Sequence, residues 1–271
     1  MKVIIVPDEL AVAKAAYAIV KDRLNNERIN VIGLPTGSSP LKLYHEIAEG
    51  FKRGELDFSG VHTFNLDEYL GLPDDHEQSY RRFMEDNLFQ YINLDPANIH
   101  FLYGLTDDVV AEGENYEAEM KYLGGIKLQI LGIGRDGHIG FNEPGSSLES
   151  RTGLVTIAPE TIEDNARFFA SADEVPRWAL SMGIGTIMDA DENLLIANGP
   201  AKADAIAAMI EGPVSASCPA SALQMHPNTT VIVDEAAAAK LKRADYYKNV
   251  AKLATKVDSY LANARARYNA N

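Results

Sequence analysis

The sequence predicts an α/β fold: one domain built on an open, mostly parallel, twisted sheet with helices on both faces. Two observations carry this. Short apolar runs fall at 2–6, 29–34, 61–66, 127–133, 193–197 and 230–233. Between them lie stretches with apolar residues at helical spacing, such as Glu9 to Leu24 and Leu41 to Phe51. Alternation of this kind gives parallel strands joined by helical crossovers, and strands covered on both faces read as continuous apolar runs. A third observation bounds the architecture. No Pro/Gly/Ser-rich linker, repeat, charge block or long apolar span divides the 271 residues, and a hydrophobic content of 46% is ample for one core. The reading is a single domain over 1–271.

The elements follow in order. Lys2-Val3-Ile4-Ile5-Val6 is a first strand, too short for a signal peptide and followed at once by Asp8 and Glu9. The second run, ending at Leu34, opens into Pro35-Thr36-Gly37-Ser38-Ser39-Pro40. Here Ser39 takes the place of a helix N-cap and Pro40 the first helical position. Such a loop aims backbone N–H groups and hydroxyls at the positive end of a helix, an anion site suited to phosphate. It lacks the Gly-Lys-Ser/Thr of a Walker loop. The third run ends in Asn65-Leu66-Asp67-Glu68, two acids at the carboxyl edge where open α/β sheets bind ligands. Adjacent side chains diverge, so one acid faces the cleft and the other caps the next turn; spacing does not say which.

The fourth run, Lys127 to Leu131, enters the most informative segment: Gly132-Ile133-Gly134-Arg135-Asp136-Gly137-His138-Ile139-Gly140-Phe141-Asn142-Glu143. Its glycines permit sharp turns and positive φ. Asp136, His138 and Glu143 place an imidazole between two carboxylates, which makes a general acid/base with a tunable pKa. The fifth run leads into Asn198-Gly199-Pro200-Ala201-Lys202. Lys202 stands at a helix start, where a cation is electrostatically disfavoured and a bound anion would resolve the conflict. Leu241 to Tyr268 reads as a solvated C-terminal helix.

Composition excludes several function classes. A formal charge of −14 argues against nucleic acid or an anionic membrane as partner, and leaves phosphate binding to local donors. Six scattered histidines and one cysteine offer no zinc-type ligand set, and no metal is expected. Cys218 reads as a small core residue, and its solitary state fits a reducing cytoplasm. Trp178 reads as a packed aromatic, and Asp191-Glu192 as an acidic turn.

Three segments together resemble the glucosamine-6-phosphate deaminase family: Gly33-Leu34-Pro35-Thr36-Gly37, Phe64-Asn65-Leu66-Asp67-Glu68-Tyr69 and Asp136-Gly137-His138-Ile139-Gly140-Phe141-Asn142-Glu143-Pro144. The likeness continues through Ser146-Ser147-Leu148, Ser150-Arg151-Thr152 and Asn165-Ala166-Arg167-Phe168-Phe169 to Gln224-Met225-His226-Pro227, nearly the whole chain. It implies a Rossmann-like fold shared with 6-phosphogluconolactonases, and conversion of glucosamine 6-phosphate and water to fructose 6-phosphate and ammonia without cofactor. It also implies Asp67 as the base at C2, and ring opening by His138 with Asp136 and Glu143. The phosphate would lie against Thr36, Gly37, Ser38, Ser39, Arg167 and Lys202, beneath a lid at about 153–182. The implied partner is a phosphorylated amino sugar, and relatives occur as monomers and as hexamers.

Two other readings are weaker. Lactonases usually carry Ser-Leu-Phe where this chain has Phe141-Asn142-Glu143. Sugar-phosphate sensors of this fold carry an N-terminal helix-turn-helix, whereas this sequence opens on a strand. One departure from the deaminase pattern has a consequence. Relatives activated by N-acetylglucosamine 6-phosphate hold its phosphate with a serine, an arginine and a lysine. The serine position is Ser146 here, but the other two are Gly153 and Val155.

Overall fold

The computed structural model describes residues 1–26, 29–166, 169 and 171–269. In chain order its strands are β1 (Lys2–Val6), β2 (Val31–Leu34), β3 (His62–Asn65), β4 (Asp67–Tyr69), β5 (Ile99–His100), β6 (Leu128–Leu131), β7 (Gly153–Thr156), β8 (Trp178–Ser181), β9 (Asn193–Ala197) and β10 (Thr229–Asp234). Its α-helices are α1 (Glu9–Asn25), α2 (Leu41–Lys52), α3 (Tyr80–Asn87), α4 (Val109–Tyr122), α5 (Pro159–Asn165), α6 (Ile184–Met188), α7 (Ala203–Glu211) and α8 (Ala244–Asn269).

Seven strands form the main sheet in the order β1-β10-β9-β6-β2-β3-β5, every pair parallel. Alternate residues of each apolar run enter opposite cores. Val31, Leu131, Leu195, Val231 and Val233 face α4, α6 and α7, whereas Ile32, Leu128, Ile130, Leu194, Ile196 and Ile232 face α1 and α2. This double burial explains why the strands read as unbroken apolar runs. β9, β6, β2 and β3 are consecutive neighbours, so the loops after them open at one edge of the sheet. The loops at 35–40, 66–68, 132–143 and 198–202 therefore meet there.

A second, antiparallel sheet of β4, β8 and β7 was not legible as such. The run at 61–66 does not continue as one strand. Leu66 N–H still bonds to Leu34 O, but the next residue pairs with Ser181, so the chain leaves the parallel sheet at Asp67. Two further expectations are corrected. Pro40, in the αR region, is the N-cap of α2, and no side chain caps it; Ser39 therefore lies one residue outside the helix. Trp178, at the open end of β8, is 52% exposed and not a packed aromatic. Cys218 is buried as expected, and α8 leaves Tyr246, Val250, Leu253 and Val257 exposed.

The turn from β8 into α6 packs against the backbone at Ser150 and Arg151. A Cβ on Gly183 would lie 2.1 Å from Ser150 O and 2.5 Å from Arg151 N. Backbone cannot swing aside as a side-chain tip can, so Gly183→Ala should cost roughly 1–3 kcal/mol and lower Tm by about 2–4 °C per kcal/mol. Gly60→Ala, where a Cβ meets nothing within 4 Å, is the control expected within about 0.5 kcal/mol of wild type. Calorimetric melting curves that coincide for the two variants would refute this account of the turn.

Candidate active site

The cleft at the sheet's carboxyl edge is lined by Pro35 to Ser39, Leu66, Asp67, Tyr80, Gly132 to Gly134, His138, Gly140, Phe141, Thr161, Asn165 and Lys202. Loop 132–143 folds tightly back on itself. Gly134 N–H donates to His138 O at 2.9 Å and Gly137 N–H to Gly134 O at 3.2 Å. Gly137 has φ of 92°, a region that favours glycine. A Cβ on Gly134 would fall 2.3 Å from the His138 ring. Only glycine lets that imidazole lie over the loop. The loop is pinned from outside by Phe141 N–H donating to Ser181 Oγ (3.0 Å) and Ala220 N–H to Gly137 O (2.9 Å).

Both expected acids reach the same nitrogen. His138 Nδ1 lies 2.8 Å from Asp136 Oδ1 and 3.2 Å from Glu143 Oε2. These are ion-pair distances without an aligned hydrogen bond at Nδ1 or at Glu143 Oε2. With Nδ1 committed to the carboxylates, Nε2 is the nitrogen left for a ligand. Burial pulls the imidazole's pKa down, but the two carboxylates outweigh it and raise it to about 9. Burial raises Asp136 too, and the contacts with His138 reverse this, holding it well below the usual carboxylate range. Among the described residues this trio brings its ligand atoms within 4.8 Å of one another, close enough for a cation. As arranged, the imidazolium supplies the positive charge.

The open choice between Asp67 and Glu68 is resolved. Glu68 accepts from Tyr69 N–H (2.8 Å), Tyr80 N–H (2.9 Å) and Arg81 N–H (2.9 Å), holding the start of α3. Burial pushes it up to about 7 against those bonds. Asp67 lines the cleft, 6% exposed. Burial raises it to about 8, helped by Glu68 and opposed by His138. The cleft thus has a protonated-leaning carboxyl on one wall and an ion-paired imidazolium on another.

Thr36, Gly37, Ser38, Ser39 and Lys202 line the same cleft. Lys202 is half-buried at the N-cap of α7, which confirms the expected cation at a helix start. Arg167 lies outside the described residues. Sequence reasoning missed Tyr80, Phe141, Thr161 and Asn165. Tyr69, Tyr80 and Phe141 pack together, with centroids 4.8 and 5.7 Å from Tyr69. Thr161 and Asn165, four residues apart on α5, share a helix face; that spacing, with the place of Asn165 in a segment that carries the family resemblance, was the available signal.

The chain matches the family model of glucosamine-6-phosphate isomerases/6-phosphogluconolactonase over residues 8–232. It belongs to this family. Within the family it is 51% identical over 248 residues to a glucosamine-6-phosphate deaminase of Hahella chejuensis, covering 92% of this chain and 95% of that one. A deaminase of Shewanella loihica is 48% identical over 250 residues, 92% and 93% of the two chains. A solved monomeric glucosamine-6-phosphate deaminase superposes with a TM-score of 0.86 at 41% identity, over 89% of this chain and 100% of that one. The 6-phosphogluconolactonase from Trypanosoma cruzi, at 19% identity and a TM-score of 0.70, shares the fold.

The site makes stability pH-dependent. His138 binds its proton more tightly folded than unfolded. Its contribution is whole below its unfolded pKa of about 6.5 and is lost as pH rises through about 9. The amount is on the order of 3 kcal/mol. Asp67 acts in the same direction, because a carboxyl raised by folding costs stability increasingly from about pH 4 up to about 8. Urea midpoints should therefore fall between pH 6.5 and 9. His138→Gln should flatten the upper part of that window and Asp67→Asn the lower. A wild-type slope in both variants would mean that other groups titrate.

Proposed function

We propose that this chain is a glucosamine-6-phosphate deaminase, converting glucosamine 6-phosphate and water to fructose 6-phosphate and ammonia in amino-sugar catabolism in the cytoplasm. The observation that carries the reading is the pairing in one cleft of two proton sites held by different means: buried Asp67 and the ion-paired His138. The reaction needs both. The substrate is a closed pyranose, so a proton must first reach the ring oxygen as the C1 hydroxyl gives one up. His138, charged and held by Asp136 and Glu143, delivers it from Nε2 and, once neutral, takes up the proton of the C1 hydroxyl.

The open aldehyde acidifies the C2 hydrogen, and Asp67 takes it to give an enolamine. A carboxyl resting near 8 is a strong base once ionised. The substrate's ammonium group, arriving at C2, favours that ionised form at the moment it is needed. Asp67 returns the proton at C1, leaving an imine at C2 that water hydrolyses to the ketone and ammonia. Thr36 to Ser39 and Lys202 supply donors for the phosphate, with Arg167 as the further cation that the family resemblance implies. Within the segment 153–182 the stretch between β7 and β8 is the part that serves as a lid, with α5 on one side of the cleft through Thr161 and Asn165.

Asp67→Asn keeps the shape and removes the proton acceptor. Turnover should fall by roughly two to four powers of ten with KM largely retained. The assay is ammonia release with fructose 6-phosphate detected alongside. Wild-type turnover in the Asn variant would remove Asp67 from this role, and no ammonia from the wild-type chain would remove the reading altogether.

Kinetics should be hyperbolic, with no activation by N-acetylglucosamine 6-phosphate. Gly153 and Val155 stand on β7, paired with Ser181 and Ala179 of β8, and Val155 packs against the cluster of Tyr69, Phe141 and Ile157. Neither offers an anion a charged donor, and coupling requires differential binding to two states. Initial-rate curves that turn from sigmoid to hyperbolic on adding the effector would overturn this.

A further inference from the structure

The acid/base trio is completed from outside its own loop. Glu143 Oε2 faces His138 Nδ1. The other oxygen, Oε1, accepts from Thr161 Oγ1 at 2.7 Å and from Ala158 N–H at 3.2 Å. Loop 132–143 holds Glu143 through its backbone, with Glu143 N–H on Phe141 O and Ser146 N–H on Glu143 O. These bonds place the Cα but leave the carboxylate free to rotate. Thr161 is 6% exposed, so little of it is open to solvent. One turn on, Asn165 Nδ2 donates to Tyr69 Oη at 2.8 Å, fastening the same face of α5 to the β4 side of the cleft. The two attachments fix where the Thr161 hydroxyl stands.

We propose that Thr161 is a positioning residue for the reaction: its hydroxyl clamps Glu143 Oε1 so that Oε2 stays against His138 Nδ1 while the imidazole works from Nε2. The reaction assigned to it rests on the deaminase reading above; the clamp itself does not. A short hydroxyl–carboxylate bond is among the stronger hydrogen bonds, and acid/base efficiency depends on holding such groups in place. Among the described residues, Asp136, Glu143 and, across the cleft, Asp67 are the charged groups that act on the imidazole. Only Glu143 among them is tied to α5.

The test compares Thr161→Val, which keeps shape and loses the hydroxyl, with Thr161→Ser, which keeps the hydroxyl. In the full chain without ligand, the NMR titration midpoint of His138 should drop by at least about half a unit in the Val variant and stay at the wild-type value in the Ser variant. With glucosamine 6-phosphate, kcat should fall about tenfold or more in the Val variant, KM should change less than about threefold, and Ser should restore both. A wild-type His138 midpoint in Thr161→Val overturns the clamp, as does a Ser variant as impaired as the Val one. Absence of ammonia release in the wild type would fail the deaminase reading alone, because the titration still decides the clamp.

Discussion

Two carboxylates that converge on one imidazole nitrogen repel each other unless the ring carries a proton. Asp136 and Glu143 lie 2.8 and 3.2 Å from His138 Nδ1, and the imidazolium is the charge that lets them remain there. Much of the neighbouring structure is what this cluster requires. The loop must reverse within a few residues to bring positions 136, 138 and 143 together. That is why Gly134 has no room for a Cβ and Gly137 sits at positive φ. The loop must also be held from behind, which Ser181 and Ala220 do through single hydrogen bonds. The antiparallel sheet earns its place here, since β8 carries Ser181 and pairs it with Asp67.

Asp67 shows how a second environment is made a short distance away. It is buried and lies next to Glu68 in sequence, and these outweigh the pull of His138, so its proton is retained well above the ordinary carboxylate range. Glu68 is kept from competing for the cleft because three backbone N–H groups near the start of α3 occupy it. Asp67 and His138 thus both hold a proton, one through burial and the other through its carboxylate partners.

The legibility of all this in the sequence was uneven, for physical reasons. Parallel strands buried on both faces are continuous apolar runs, and glycine-rich loops at their ends are conspicuous, so the main sheet and the residues Asp136, His138 and Glu143 stood out, whereas Asp67 was separable from Glu68 only through the family resemblance. β4, with three residues, is too short for any periodicity, and its departure from β3 depends on pairing with a strand more than a hundred residues away. Ser39 looked like an N-cap because serine before proline fits one, yet Pro40 already has αR geometry and starts the helix itself. Trp178 could not be placed because its exposure depends on where β8 ends relative to its neighbours. Thr161 is an ordinary helix residue in sequence, and only its tertiary contact with Glu143 gives it a role.

How an acidic protein binds a phosphorylated sugar follows from range. Exposed charges act weakly beyond about 10 Å at ordinary ionic strength, so a net charge of −14 sets the far field without deciding the near one. At the cleft the near field comes from the Thr36–Ser39 loop before α2 and from Lys202 at the N-cap of α7. Both helices point their positive ends at the same edge of the sheet, because parallel strands followed by helices leave them no other orientation. The proposed phosphate site is in this sense a by-product of topology. Lys202 adds a full charge where helix electrostatics alone would disfavour it, a position that becomes favourable when an anion lies between the lysine and the two helix starts. The phosphate is remote from C1 and C2, so its binding energy is best used to hold the reacting carbons between Asp67 and His138. The sheet that aligns the helix starts also spaces those two residues.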